Sequence, residues 1–183
     1  DRQDVEYFSA VSDAYEEITG ITNVGINREA EGAFFQVGYY QFGIPSFSTQ
    51  GWGLEAVETD RDASNDAKLI GALDGAGISG FADWSAYDHP ELGAVEIGGF
   101  LPYATTNPPA DQLPELGRQH GEFVTRLAGM LPRVNIVDAE VTAHGGGIFT
   151  VTAAIENAGY VPTSLQHGVT SGAVQPTTVR IQV

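Results

Sequence analysis

The chain has 183 residues, enough for one domain or one and a half, and its 42% hydrophobic content can supply a packed core. Acidic residues outnumber basic ones 24 to 8, a net charge of −16, which argues against nucleic acid or an anionic lipid surface as the main partner. Cysteine is absent, so disulfides, thiolate zinc sites and cysteine nucleophiles are excluded; no apolar run reaches the length of a membrane-spanning helix. The first residue is Asp1 rather than Met and no signal peptide precedes it, so the chain is read as a fragment, a processed form or an excised piece of a longer protein.

From Asp4 to Thr19 the apolar residues Phe8, Val11, Tyr15 and Ile18 recur at helical spacing, and Gly20 stops the run. Ile21 to Glu31 is a loop or short strand in which Arg28 is the one cation. Gly32 to Trp52 is the most apolar and aromatic stretch of the chain. Phe34, Phe35, Tyr39 and Phe42 predict a helix that Gly43 ends, and the turn-bounded, β-prone Ser46-Phe47-Ser48-Thr49 predicts a buried strand. Ligands sit at the carboxyl ends of strands in open α/β sheets, which puts Gln50-Gly51-Trp52 at a candidate site.

Ser64 is placed to cap a helix from Asn65 to Leu73, and the glycine-rich 75–80 stretch is a connector, not a phosphate loop, because no Lys-Ser/Thr follows it. In 81–100, Asp88, His89, Glu91 and Glu96 are metal-ligand types, but their spacing is wrong for a helical His pair. His-Pro reads as a turn with His89 hydrogen-bonded. Asp111 to Leu131 predicts a helix with Leu113, Leu116, Phe123, Leu127 and Leu131 in one stripe, His120 on the same side and Pro132 beyond the end. From Arg133 the period becomes two. Val134, Ile136 and Val141, a Gly145-Gly146-Gly147 turn, then Phe149, Val151, Ala153 and Ile155 predict strands, as do Val179, Ile181 and Val183. This is a sandwich-like module with fewer strands than the roughly seven of a full sandwich.

Two stretches carry a resemblance. Tyr39-Tyr40-Gln41-Phe42-Gly43-Ile44 followed by Ser46 to Thr49 resembles the end of the catalytic domain of zinc carboxypeptidases, and the Trp84…His89-Pro90…Val95-Glu96-Ile97-Gly98-Gly99 block with Asn107-Pro108-Pro109 resembles a bacterial-type group of such proteins. The resemblance implies an α/β fold: residues 1–60 ending a carboxypeptidase-like catalytic sheet domain, 61–131 a family-specific extension, and 132–183 a truncated β-sandwich-like module. It implies a secreted or periplasmic location and hydrolysis of C-terminal residues from a peptide or protein substrate. It implies Zn²⁺ in the parent protein, held by two His and one Glu, acidifying a water whose proton a Glu accepts.

By the same resemblance the general-base position is 50, where this chain has Gln50, and Arg28 is the cation placed to meet a substrate carboxylate. Glu96 lies outside that order and is not assigned as the base. His89, His120, His144 and His167 begin no His-x-x-Glu, so the zinc ligands lie elsewhere and this chain binds no metal by itself. The expectation is therefore a metallocarboxypeptidase-like fragment inactive on its own. Its alternative is a pseudo-peptidase, or a module that binds peptide or protein without cleaving it. An incomplete sheet would associate through its edge.

Overall fold

The computed structural model describes residues 1–22, 32–49, 51–54 and 63–182. Among them the chain is mixed α/β, with five α-helices and two separate two-stranded antiparallel sheets. It divides into two compact units. One comprises Asp1–Ile18, Asn27–Ser48 and Gly121–Val183; the other comprises Thr19–Ile26 and Thr49–His120.

The first unit is built on helix α1, Val5–Thr19, entered through a 3₁₀ turn at Arg2–Asp4. Its buried residues are Val11, Ala14, Tyr15 and Thr19, the stripe that the 3.6-residue period requires, and Asp4 in the turn before it is buried too. Tyr15 meets Phe123 edge-on at 5.1 Å, and Phe8 meets Tyr39 and Phe47 at 5.7 and 5.4 Å. Helix α2, Phe34–Phe42, ends as expected at Gly43, which is left-handed (φ 61°, ψ 29°). Glycine is required there twice over. A side chain would have to adopt positive φ, and its Cβ would strike the Gly168 backbone and lie 2.7 Å from Val174. Residue 168 belongs to a short helix α5, Gln166–Ser171, whose composition gave no helical signal. The Leu165 N–H donates to the Gly43 carbonyl at 3.0 Å, so the two backbones are in direct contact.

Ser46 to Thr49 is not a strand. It pairs with no β-strand, and Phe47, Ser48 and Thr49 are exposed. After Gly43 the chain doubles back on α2: Ile44 N–H donates to the Gly38 carbonyl, and Ser46 lies directly over Gly38. That reversal takes the segment out of reach of a ladder. Helix α2 itself has no fully buried residue, and Phe34, Tyr40 and Phe42 stand out to solvent.

In the second unit α3, Asn65–Gly75, starts where expected, with Ser64 Oγ accepting from Ala67 N–H at 3.2 Å. Ala72 and Leu73 are its buried residues. The 81–100 block is a hairpin of β1, Phe81–His89, and β2, Gly93–Phe100. Its three-residue loop is held by His89 Nδ1, which accepts from the N–H groups of Glu91 and Leu92, both at 3.2 Å. Helix α4, Leu113–Met130, begins later than Asp111, with Gln112 C=O accepting its first bond.

Strands β3, Val134–Gly145, and β4, Ile148–Asn157, form the second hairpin, back in the first unit. Gly146 and Gly147 both have positive φ (61° and 81°), which a two-residue hairpin turn demands. Of the expected sandwich-like module the described residues form this hairpin alone. Thr178 to Gln182 pairs with no described strand, so the strand predicted at Val179 and Ile181 is corrected to irregular chain. Alternation marks a segment able to fill a pleated surface, and among the described residues no strand lies beside it.

Candidate functional site

The two residues that the resemblance assigns, Gln50 and Arg28, lie outside the described residues. The Gly51 N–H donates to Thr49 Oγ1 at 3.2 Å. Gly51 has φ 72°, and a Cβ placed on it would stand 3.7 Å from His120 Nε2. Trp52 Nε1 donates to Gln112 Oε1 at 3.2 Å, fastening the same segment to the start of α4. His120 Nδ1 lies 2.8 Å from the Leu116 carbonyl, an acceptor only, so that nitrogen carries the ring proton. The other ring nitrogen, Nε2, faces the backbone of Gly51. Spacing on α4 put His120 at the core boundary; its approach to Gly51 joins residues 69 positions apart and has no local signal.

A second polar cluster lies in the first unit. Asp4 is buried, and its carboxylate accepts three hydrogen bonds. Oδ1 takes the Gln166 N–H at 2.7 Å, and Oδ2 takes the His167 N–H at 3.1 Å and the Tyr39 hydroxyl at 3.0 Å. Tyr39 also stacks on the His167 ring, centroids 4.7 Å apart at 18°. Burial, and then the bond to the Asp4 carboxylate, push the Tyr39 phenol up to about 12. A phenol held protonated and a carboxylate with its donors supplied make a structural junction, not an acid–base pair. Beside it is a polar cleft of about 470 Å³ lined by Arg2, Gln3, Asp4, Glu6, Tyr7 and Gln166. The Tyr7 phenol is raised by burial and by its bond to Glu6. A larger hollow of about 710 Å³ lies between the C-terminal ends of α1 and α4, with Glu17, Glu122 and Arg126 at its rim.

Among the described residues no three His, Asp or Glu side chains stand together in a group that could hold a metal ion. Asp88, His89, Glu91 and Glu96 are placed along and around one hairpin, with His89 engaged by its own loop. The described residues therefore do not fit a zinc site. No described helix is long and apolar enough to cross a membrane.

Residues 133–183 match a family model described as Domain of unknown function (DUF8731). That match begins one residue before β3 and takes in the whole hairpin, α5 and the unpaired tail. No curated protein and no solved structure matches the chain.

Proposed function

We propose that this chain is part of a zinc metallocarboxypeptidase-like protein in which Gln50 occupies the general-base position. The observation that carries this reading is the order Tyr39 to Ile44, Ser46 to Thr49, Gln50, followed by the Trp84 to Gly99 block and Asn107-Pro108-Pro109. It is supported by the helix stop at Gly43. The aromatic side chains that α2 exposes, Phe34, Tyr40 and Phe42, suit a segment that packs inside a larger catalytic domain. The metal ligands belong to residues outside this chain.

The chemistry at position 50 follows from the amide. A glutamine there can hydrogen-bond a water but cannot take its proton near neutral pH. Loss of general-base work typically costs about 10²–10⁴-fold in rate. The protein purified from its native source, with zinc per chain measured, provides the test. Replacing Gln50→Glu should raise peptide hydrolysis by about 10²-fold or more at equal zinc occupancy. No gain at equal occupancy removes position 50 from the base role.

The second reading is a protein that binds peptide or protein without cleaving it. Gln50 itself favours this reading, since it keeps the shape of a carboxylate side chain without its proton chemistry. Binding of a C-terminal peptide unchanged by Gln50→Glu, with no turnover in either form, is the outcome expected from it.

A further inference from the structure

The hairpin β3–β4 has two unlike faces. Strand β4 runs without interruption, so Phe149, Val151 and Ile155 share one face. Their partners across the ladder add Val141 and Ile136, and Val134 follows opposite Asn157. Two irregularities, each absorbing one extra residue of β3 (Val137 and His144), preserve this register over the full length. The other face carries Thr150, Thr152 and Glu156 opposite Thr142, Glu140 and Asn135, with Asp138 opposite Ala154.

The apolar face is open to solvent. Its six large residues are 43% (Val134), 60% (Ile136), 63% (Val141), 61% (Phe149), 41% (Val151) and 46% (Ile155) exposed. Together they present on the order of 600 Å² of apolar surface, the upper end of what a monomer ordinarily leaves bare. Only alanines lie between them, and no charged side chain stands on that face, in a chain whose net charge is −16.

We propose that this face is the interface of a homodimer, in which the β3–β4 hairpins of two copies pack apolar face against apolar face. A second copy suits this face in area, in charge and in layer packing. Two such faces bury about 1,200 Å² in total, the lower bound of a stable specific interface. Two strongly acidic chains can meet here without bringing carboxylates together, because Asp138, Glu140 and Glu156 stay on the outer faces; a basic partner would find nothing on the apolar face to pair with. A two-stranded sheet is marginal alone in water, and stacking two of them about 10 Å apart gives each the second layer that it lacks. One two-fold axis accounts for the contact, since a single self-complementary patch serves both copies. The proposal does not depend on the carboxypeptidase reading.

The cysteine-free chain allows a direct test. Val141→Cys places a thiol on the apolar face, and Thr142→Cys places one on the polar face at the next residue. A short thiol-to-thiol cross-linker should trap covalent dimers with Val141→Cys at least about tenfold more efficiently than with Thr142→Cys. Sedimentation equilibrium of the unmodified chain should give a dimer at micromolar concentration. Phe149→Asp should weaken that dimer at least about tenfold, and Thr150→Asp should leave it intact. A monomeric chain overturns the proposal, as does equal cross-linking from both faces or a dimer indifferent to Phe149→Asp. A monomer whose Val141→Cys thiol resists modification overturns it too, and assigns the covering of this face to the same chain.

Discussion

Asp4 is the residue on which the first unit turns. In the sequence it is one acidic residue at the entrance to a helix. In the structure its carboxylate receives the first two N–H groups of α5, at 2.7 and 3.1 Å, from residues 162 and 163 positions away. It therefore caps a helix to which it does not belong, and α5, with β-branched residues and a glycine, needs that cap. Asp4→Ala leaves two backbone donors and the Tyr39 hydroxyl without their acceptor inside the protein. It should lower unfolding stability by about 2–4 kcal/mol in a urea titration, with Asp4→Asn costing less because one acceptor oxygen remains. Tyr39 adds a pH dependence whose sign is fixed. Its folded-state pKa, about 12, lies above the ordinary 10, so its contribution is complete below pH 10 and is lost as pH rises from about 10 through 12. Alkaline unfolding monitored by circular dichroism should show a shallower loss over that window in Tyr39→Phe than in the parent. An identical loss in both would detach the alkaline transition from this phenol.

At the scale of elements, the two hairpins show how glycine sets strand geometry. In β1–β2 the register slips between Ala82 and Ser85, where β1 carries one residue more than β2. Gly98 faces that irregularity. A Cβ there would come within 2.7 Å of Trp84 Cα and 3.0 Å of the Asp83 carbonyl oxygen, both backbone atoms that cannot move aside cheaply. Gly98→Ala should therefore cost about 1–3 kcal/mol, the scale of overpacking, and disperse the amide signals of 82–85 and 97–99 in NMR spectra. Retention of parent-like shifts would mean that the irregularity is not enforced by Gly98. The Glu96-Ile97-Gly98-Gly99 run was legible in the sequence as a motif, but its reason, a close crossing of Gly98 by the Trp84 backbone, lay in the pairing. The helices α1, α3 and α4 were legible because period and punctuation act within a few residues. The start of α4 slipped from Asp111 to Leu113, and Gln112 is engaged instead by Trp52. Ser46 to Thr49 misled for the opposite reason: its composition suits a strand, and a strand exists only where another is laid beside it.

For the whole molecule, charge is the dominant fact. With 24 acidic and 8 basic residues, and one ion pair between side chains in the described chain (Glu115–Arg118), most carboxylates repel one another in the folded state. Salt screens that repulsion, since the Debye length falls from about 10 Å at 0.1 M to 3 Å at 1 M. The thermal midpoint should therefore rise by several degrees between low salt and about 1 M NaCl. A midpoint that is flat or falls with NaCl would show that self-repulsion does not limit stability. The bare hairpin face adds to the same balance, because screening also removes the electrostatic cost of bringing two such chains together.

Helices α1 to α4, the Ser64 cap and Gly43 stop, the hairpin that turns at Gly145 to Gly147, the lack of cysteine and the acidic surface are all readable from the residues alone. Each of these is set by a residue's own chemistry or by neighbours within one or two turns of chain. The tertiary structure alone decided that Asp4 caps α5, that Gly43 meets Gly168 backbone to backbone, that His120 stands beside Gly51, and that neither Ser46 to Thr49 nor the tail finds a ladder. Those outcomes depend on contacts between residues far apart in the chain, whose cost in loop closure is repaid only when the whole unit packs, and no local pattern records them.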